Sequence, residues 1–363
     1  MTIVIRGIGV VGGFGCGVDA LREALAGRLP RPEPYAIGVG AKRREIRAFQ
    51  ADLSPLEAFM APRALRRIDR YSRIGLLGSH LALADAGDAD ASREGLGIVL
   101  ASGSGATGIA FAHLNSFARD GDICASPTHF ANSLHNSAAS NISIVLGATG
   151  PNLTVSQQRL SVPSALVTAR QWILEGRVGR VLFGVIDELS ELTAYAWFRE
   201  RGAPAASAMT PLRTSADTAI PGEGAAFFLL TGGDGGDGGY ATLDDAVTGW
   251  PPDGNLVPPG AALVVLGADG RPEEGRGYAA RAANRRVACY SPVYGCTDAA
   301  PAFDMAAAAL MAKDGRVFAS PGGDAIDFAA TVPAAGEPLG GSVINCLTLT
   351  SGDGYGLITV GQR

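Results

Sequence analysis

The sequence predicts an α/β protein built on a largely parallel sheet, and three observations carry that expectation. Short apolar runs at 3–11, 96–102, 180–185 and 225–230 alternate with longer amphipathic ones, the order expected of strands covered by crossover helices. Gly supplies 50 of the 363 residues, about twice the usual share of roughly 7%, which suits sharp strand-to-helix turns. With 47% hydrophobic residues and a mean hydropathy of +0.17, the chain has enough apolar surface for a large core.

The elements follow in order. Ile3 to Val11 reads as a strand, and Val18 to Ala26 as a helix with Asp19 in its first turn. The Pro-rich, charged stretch 29–62 reads as a surface loop with little regular structure. Ala64 to Ala86 reads as one long helix, because Leu65, Ile68, Ile74, Leu77 and Leu81 recur at three to four residues. Its Arg66, Arg67, Arg70 and Arg73 form a basic face suited to a solvated surface or to an acidic carrier protein. Residues 96–102 are a buried strand, Phe130 to Leu146 a helix, Asn152 to Ser156 a strand, and Ser161 to Leu174 a helix with Ser161 as its cap. Strands at 180–185 and 225–230 complete this part. The run GGDGGDGG at 232–239 is a flexible linker by composition. It divides the chain into 1–231 and a shorter 240–363, where strands at 262–266, 286–289, 342–347 and 354–360 surround an Ala-rich helix at 302–311.

Composition also excludes. Acidic residues (35) outnumber basic ones (30), against a nucleic-acid binder of the basic-patch type. No run approaches the roughly 20 apolar residues of a membrane span, and the first residues read as a strand, not a signal peptide. Five scattered Cys without a C-x-x-C pair fit a reducing cytoplasm and no structural zinc site. His129 and His135, six apart, are spaced poorly for a metal pair. Two G-x-G-x-x-G matches, Gly7 to Gly12 and Gly103 to Gly108, lack a second strand ending in an acid about 20 residues on. They read as tight turns, and a dehydrogenase is rejected.

Four segments in register resemble the β-ketoacyl synthases of fatty-acid and polyketide assembly: 3–28, 67–87, 126–155 (SPTHFANSLHNSAASNISIVLGATGPNLTV) and 210–230 (TPLRTSADTAIPGEGAAFFLL). The resemblance implies a thiolase-like fold, two similar halves in five layers α-β-α-β-α. It also implies a Cys nucleophile at a helix start, where the helix dipole favours a thiolate, and two His that hold carbonyls during decarboxylative condensation. At the implied positions stand Arg159 in place of Cys, with Gln158 beside it, Asp269 in place of the first His and Cys296 in place of the second. No His follows residue 135. An Arg at a helix start calls for an acidic partner, and Asp187 or Glu188 are the expected ones.

A scaffold without its catalytic residues resembles the chain-length-factor subunits, silent homologues that pair with an active ketosynthase and shape its acyl tunnel. The stretch 127–143 is most similar to the bacterial group linked to polyenes, including aryl polyenes. That resemblance implies a ketosynthase partner, an acyl carrier protein, a cytoplasmic location and no cofactor or metal. Phe130, Leu134, His135, Asn136, Ile142 and Gln158 are the tunnel or interface candidates, with Phe111 and Phe117 near them. Two alternatives stay open: an acyltransferase whose nucleophile has moved to Cys296, and a stand-alone acyl or acyl-carrier binding protein.

Overall fold

The computed structural model describes residues 1–39, 42–203, 207–233, 238–250 and 256–363. The first half runs β1 (Ile3–Gly12), β2 (Gly15–Cys16), α1 (Gly17–Leu25), β3 (Glu33–Val39), β4 (Lys42–Ala48), α2 (Arg70–Asp85) and β5 (Gly97–Ser102). It continues through α3 (Thr107–Asp120), α4 (Pro127–Asn132), α5 (Ser137–Leu146), β6 (Asn152–Ser156), α6 (Ser161–Leu174), β7 (Arg180–Asp187), α7 (Glu191–Arg201) and β8 (Gly224–Gly232). The second half has β9 (Ala241–Gly249), β10 (Leu263–Leu266), α8 (Pro272–Ala282), β11 (Val287–Ala288) and α9 (Ser291–Tyr294). It ends with α10 (Ala300–Asp314), β12 (Val343–Leu349) and β13 (Tyr355–Gly361).

The strand order is β6-β5-β7-β8-β1 in one half and β11-β10-β12-β13-β9 in the other. Numbered within its own half, each is 3-2-4-5-1. Pairing senses repeat as well: three parallel neighbours, then two antiparallel strands. The sheet is therefore mixed, where a largely parallel one was expected. A short contact of Val4 and Ile5 with Thr242 and Ala241 joins the halves.

Alternation of side chains sorts the core into layers. Val99 and Ala101 of β5 face the same interior as α6 and α10. Ile98 and Leu100 face α2 and α5 on the outside. In the second half Val265, Ile344 and Ile358 join the central interior, while Val264, Leu266 and Leu347 pack under Tyr278 and Ala282 of α8. The result is the five-layer α-β-α-β-α sandwich. Helix α10 has buried residues all round, which is why its sequence has no polar stripe. Its Ala306 to Ala309 take little room between two sheets.

Several elements depart from expectation. The stretch 29–62 contains the β3–β4 hairpin, whose inner face (Tyr35, Ile37, Ile46, Ala48) packs on α7. The long helix begins only at Arg70, because the Asp69 carboxylate accepts from Ser72 N at 2.9 Å and caps it, leaving 64–67 as a separate 3-10 turn. The segment 130–146 is two helices broken at 133–136. Gly7 and Gly9 are not turn residues. They lie inside β1 where α2 crosses, and a Cβ there would come within 2.3 Å of Ala82 O and 2.1 Å of Gly78 O. Of the run 232–239, expected to be a linker, Gly232 ends β8 and residues 234–237 lie outside the described residues.

Candidate functional site

Strand β6 turns into α6 through residues 157–160. The turn is tight: Gln158 has φ of 49°, the left-handed region that a side chain occupies only when its surroundings hold it there. Ser161 supplies part of that hold. It is the first residue of α6, not its cap, and its Oγ accepts from the Gln157 N–H at 2.7 Å and lies 3.0 Å from Ser102 O. The turn leaves Gln158 exposed and directs Arg159 inward, where it is 7% exposed.

The Arg159 guanidinium crosses from the first half to the second. Nη2 donates to Asp269 Oδ2 at 3.0 Å and Nη1 donates to Glu274. Asp269 sits just after β10, in a bend that closes at Gly270, whose φ is 86°. Glu274 is in the first turn of α8, after Pro272, where the helix dipole favours a carboxylate. Arg271 completes the cluster, with Nε 2.8 Å from Asp269 Oδ2 and Nη2 2.7 Å from Glu274 Oε1. Two guanidinium groups and two carboxylates thus neutralise each other inside the protein. The predicted partners Asp187 and Glu188 play no part in this. Asp187 Oδ2 accepts from Thr297 Oγ1 (2.6 Å) and Asp298 N (2.7 Å), and Glu188 accepts from Gly108 N (3.2 Å).

Cys296 joins the cluster through its Sγ, which donates to Asp269 Oδ2 at 2.6 Å. The three positions singled out in the sequence, Arg159, Asp269 and Cys296, therefore meet on one carboxylate. Burial, and then the Asp269 charge, push the Cys296 thiol well above the ordinary thiol range. It is a thiol that donates a proton, not a thiolate. Burial works against the Asp269 charge, but Arg159 and Arg271 win and hold its carboxyl well below the usual range. Beside the cluster a cleft of about 180 Å³ opens, lined by Ser104, Trp197, Gly222 and the acids Asp187, Glu188 and Asp298. Burial, with Asp298 next to it, raises Asp187 to about 7, and burial raises Glu188 to about 7.

No imidazole reaches this place. His80 stacks on Phe59 with ring centroids 5.0 Å apart, and His113 of α3 lies 5.7 Å from Phe130. His129 is on α4, and His135 is exposed beside Gly105. Among the described residues no group of three or more His, Cys, Asp or Glu is arranged to hold a metal.

The tunnel or interface candidates separate into two sets. Phe130 (58% exposed), Leu134, His135 and Asn136 lie on the surface. Ile142 does not: it is fully buried against α2 and belongs to the outer core. The apolar side chains that α5 and β6 do present are Ile144 (78% exposed), Val145 and Leu153. Leu114 and Phe117 of α3 are exposed as well. Phe111 is only half-buried. Strand β6 is the last strand of the sheet order. The basic face expected on the long helix is also reduced. Arg70, though exposed, pairs with Glu223 and Arg73 bonds Leu65 O and Ile68 O, which leaves Arg66 and Arg67 as the exposed cations of this set without an ion pair among the described residues.

Residues 16–234 match the family model described as β-ketoacyl synthase, N-terminal domain, which is more than half of the chain. The chain belongs to the β-ketoacyl synthase family. Solved structures carry the same fold as this ketoacyl synthase homologue over its whole length. The ishigamide ketosynthase/chain length factor aligns at 16% identity and a TM-score of 0.81, covering 100% of this chain and 99% of that one. The ketosynthase ApeO in complex with its chain length factor ApeC, from Xenorhabdus doucetiae, aligns at 15% identity and 0.79, covering 100% and 98%. A type II PKS acyl-carrier protein in complex with its ketosynthase (AntDE:AntF) aligns at 15% identity and 0.77, covering 100% and 99%. No curated protein matches the sequence. Among the described residues no helix is long and apolar enough to cross a membrane.

Sequence reasoning missed Glu274 and Arg271. The signal was present: an acidic pair directly after Arg271-Pro272 marks a helix start, and a helix start is where a carboxylate able to answer Arg159 is stabilised.

Proposed function

We propose that this chain is the silent, chain-length-factor-type subunit of a cytoplasmic β-ketoacyl synthase complex that extends carrier-bound polyketide, polyene or fatty acyl chains. One observation carries the reading. The pocket where this family places a thiolate and two imidazoles is filled by the Arg159–Asp269–Arg271–Glu274 cluster, whose one thiol is buried and protonated. Condensation needs a nucleophile and donors for the developing enolate. Here both guanidinium groups are already bonded to carboxylates. The same observation disfavours a nucleophile at Cys296, because burial and then the Asp269 charge oppose its ionisation, and the carboxylate it donates to is held ionised by two arginines, which makes it a poor base.

What the chain contributes is shape. The edge strand β6 and the exposed apolar side chains Leu114, Phe117, Phe130, Leu134 and Ile144 are what a ketosynthase partner would cover. An unpaired strand edge supplies backbone hydrogen bonds and the apolar residues supply burial. An obligate pair of this kind buries roughly 2,000 Å² or more. Phe130 and Leu134, both exposed, are the side chains assigned in this reading to meet a growing chain in the partner. The polyene class follows the resemblance of 127–143.

Co-expression with a ketosynthase from the same gene cluster tests the reading. A stable 1:1 complex, with acyl groups found by intact mass on the partner alone, is the expected result. An acyl adduct on this chain, or no complex with the ketosynthase, would overturn it.

A further inference from the structure

Charge is distributed unevenly along this acidic protein. Residues 28–73 hold eleven of the 30 basic side chains and five of the 35 acidic ones, a balance of +6 where the rest of the chain carries −11. Some of these cations are committed. Arg70 and Arg73 bond inward, and Arg28 pairs with Glu23. Arg43, Arg44 and Arg47 on β4 are not, among the described residues.

The hairpin register places Arg43 opposite Gly38, Glu45 opposite Ala36 and Arg47 opposite Pro34. Side chains alternate along a strand, and the other face of this hairpin is packed on Leu189, Ala194 and Trp197 of the α7 region. Arg43, Glu45 and Arg47 therefore stand outward over three small residues, and all six are exposed. Arg43, Arg44 and Arg47 have no hydrogen-bond or ion-pair partner among the described residues. Behind the hairpin base lies a cleft of about 690 Å³, with Arg31, Glu33, Tyr35, Asp52 and Arg70 in its walls.

We propose that the outward face of β3–β4 is a docking surface for an acidic helical protein of the acyl-carrier class, a proposal that rests on the function inferred above. An acidic partner is repelled by most of this chain, and residues 28–73 are where approach is favoured. Arginine forks hold carboxylates bidentately. Residues 43 and 47 are separated by about 13 Å along the strand, close to the roughly 11 Å between carboxylates two turns apart on a helix. A polyphosphate fits less well, because Glu45 stands between the two arginines.

The test uses the complex with the ketosynthase and a fluorescently labelled holo acyl carrier protein, titrated by anisotropy at low and high salt. Reversing both outward charges (R43E and R47E) is expected to weaken binding about tenfold at low salt and to flatten its salt dependence, with the heterodimer intact by size exclusion. Unchanged affinity would overturn the proposal. So would loss of the heterodimer, which would make the hairpin a subunit contact, or a loss seen only with R66E and R67E, which would move docking to the 64–67 turn. If the unmodified chain forms no complex, the pairing reading falls, while docking is still measured on the chain alone.

Discussion

Replacing Asp269 by Asn keeps the outline of the side chain and removes the charge that Arg159, Arg271 and Cys296 share. The Asp269 side chain is fully buried and Arg159 is 8% exposed by side chain, so water cannot take over the solvation of the guanidinium groups. Two cations are then left with Glu274 alone. Removing one member of a buried charge network costs about 3–5 kcal/mol, mostly the uncompensated charge left behind. Unfolding entropy of about 2.1 cal/mol/K per residue gives about 0.8 kcal/mol/K for a chain of this length, so the melting temperature should fall by about 5 °C. The assay is a thermal melt at pH 7, repeated at lower pH. A carboxylate whose pKa is depressed by folding contributes stability above its unfolded pKa and loses it as pH falls through its folded one. The gap between the two proteins should therefore begin to narrow only below about pH 4 and persist well under it, because the folded carboxyl is held far below the usual range. Adding Arg159→Met should recover part of the loss, since the pair is coupled. A fall of less than about 1 °C at pH 7 would refute the idea that this cluster ties the halves together.

Three other outcomes follow from the structure. Burial raises Asp304 of α10 to about 7, although Tyr294 Oη donates to it at 2.5 Å; a raised carboxyl contributes stability that is lost as pH climbs through that value. Asp304→Asn should melt above the parent at pH 8, by up to about 4 kcal/mol in stability, with the difference vanishing near pH 4; an equal shift at all pH values would contradict it. Arg159→Cys restores a thiol at the turn but no imidazole, because no His follows residue 135, so radiolabelled malonyl decarboxylation by the isolated chain should stay at background. Ile144→Asp, at a side chain 78% exposed in the isolated chain, should leave its melting unchanged and weaken ketosynthase binding by about 30-fold or more.

How legible the molecule was depends on where each signal came from. Strands β1, β7 and β8 announced themselves because both faces are buried and nearly every residue is apolar. The β3–β4 hairpin hid because only its inner face is apolar, and Pro and Arg on the outer face read as loop. Helix α7 (ELTAYAWFRER) has no apolar stripe; its clue was the capping box of Ser190 and Thr193. At the site, Arg159, Asp269 and Cys296 were found by position in a family pattern. Glu274 was not: its helix-start position was legible, but nothing local ties it to a charge 115 residues away. Ile142 was misplaced by helical phase: it and Ile144 lie two apart, which on a helix is nearly opposite sides.

The outermost strand of the sheet carries a practical implication. Two such edges related by a two-fold axis run antiparallel, whether they belong to like or unlike chains. Surplus copies of this polypeptide can thus satisfy that edge with one another. Matched synthesis of both polypeptides would keep self-pairing from competing, and purification yields should track the ratio in which the two are made.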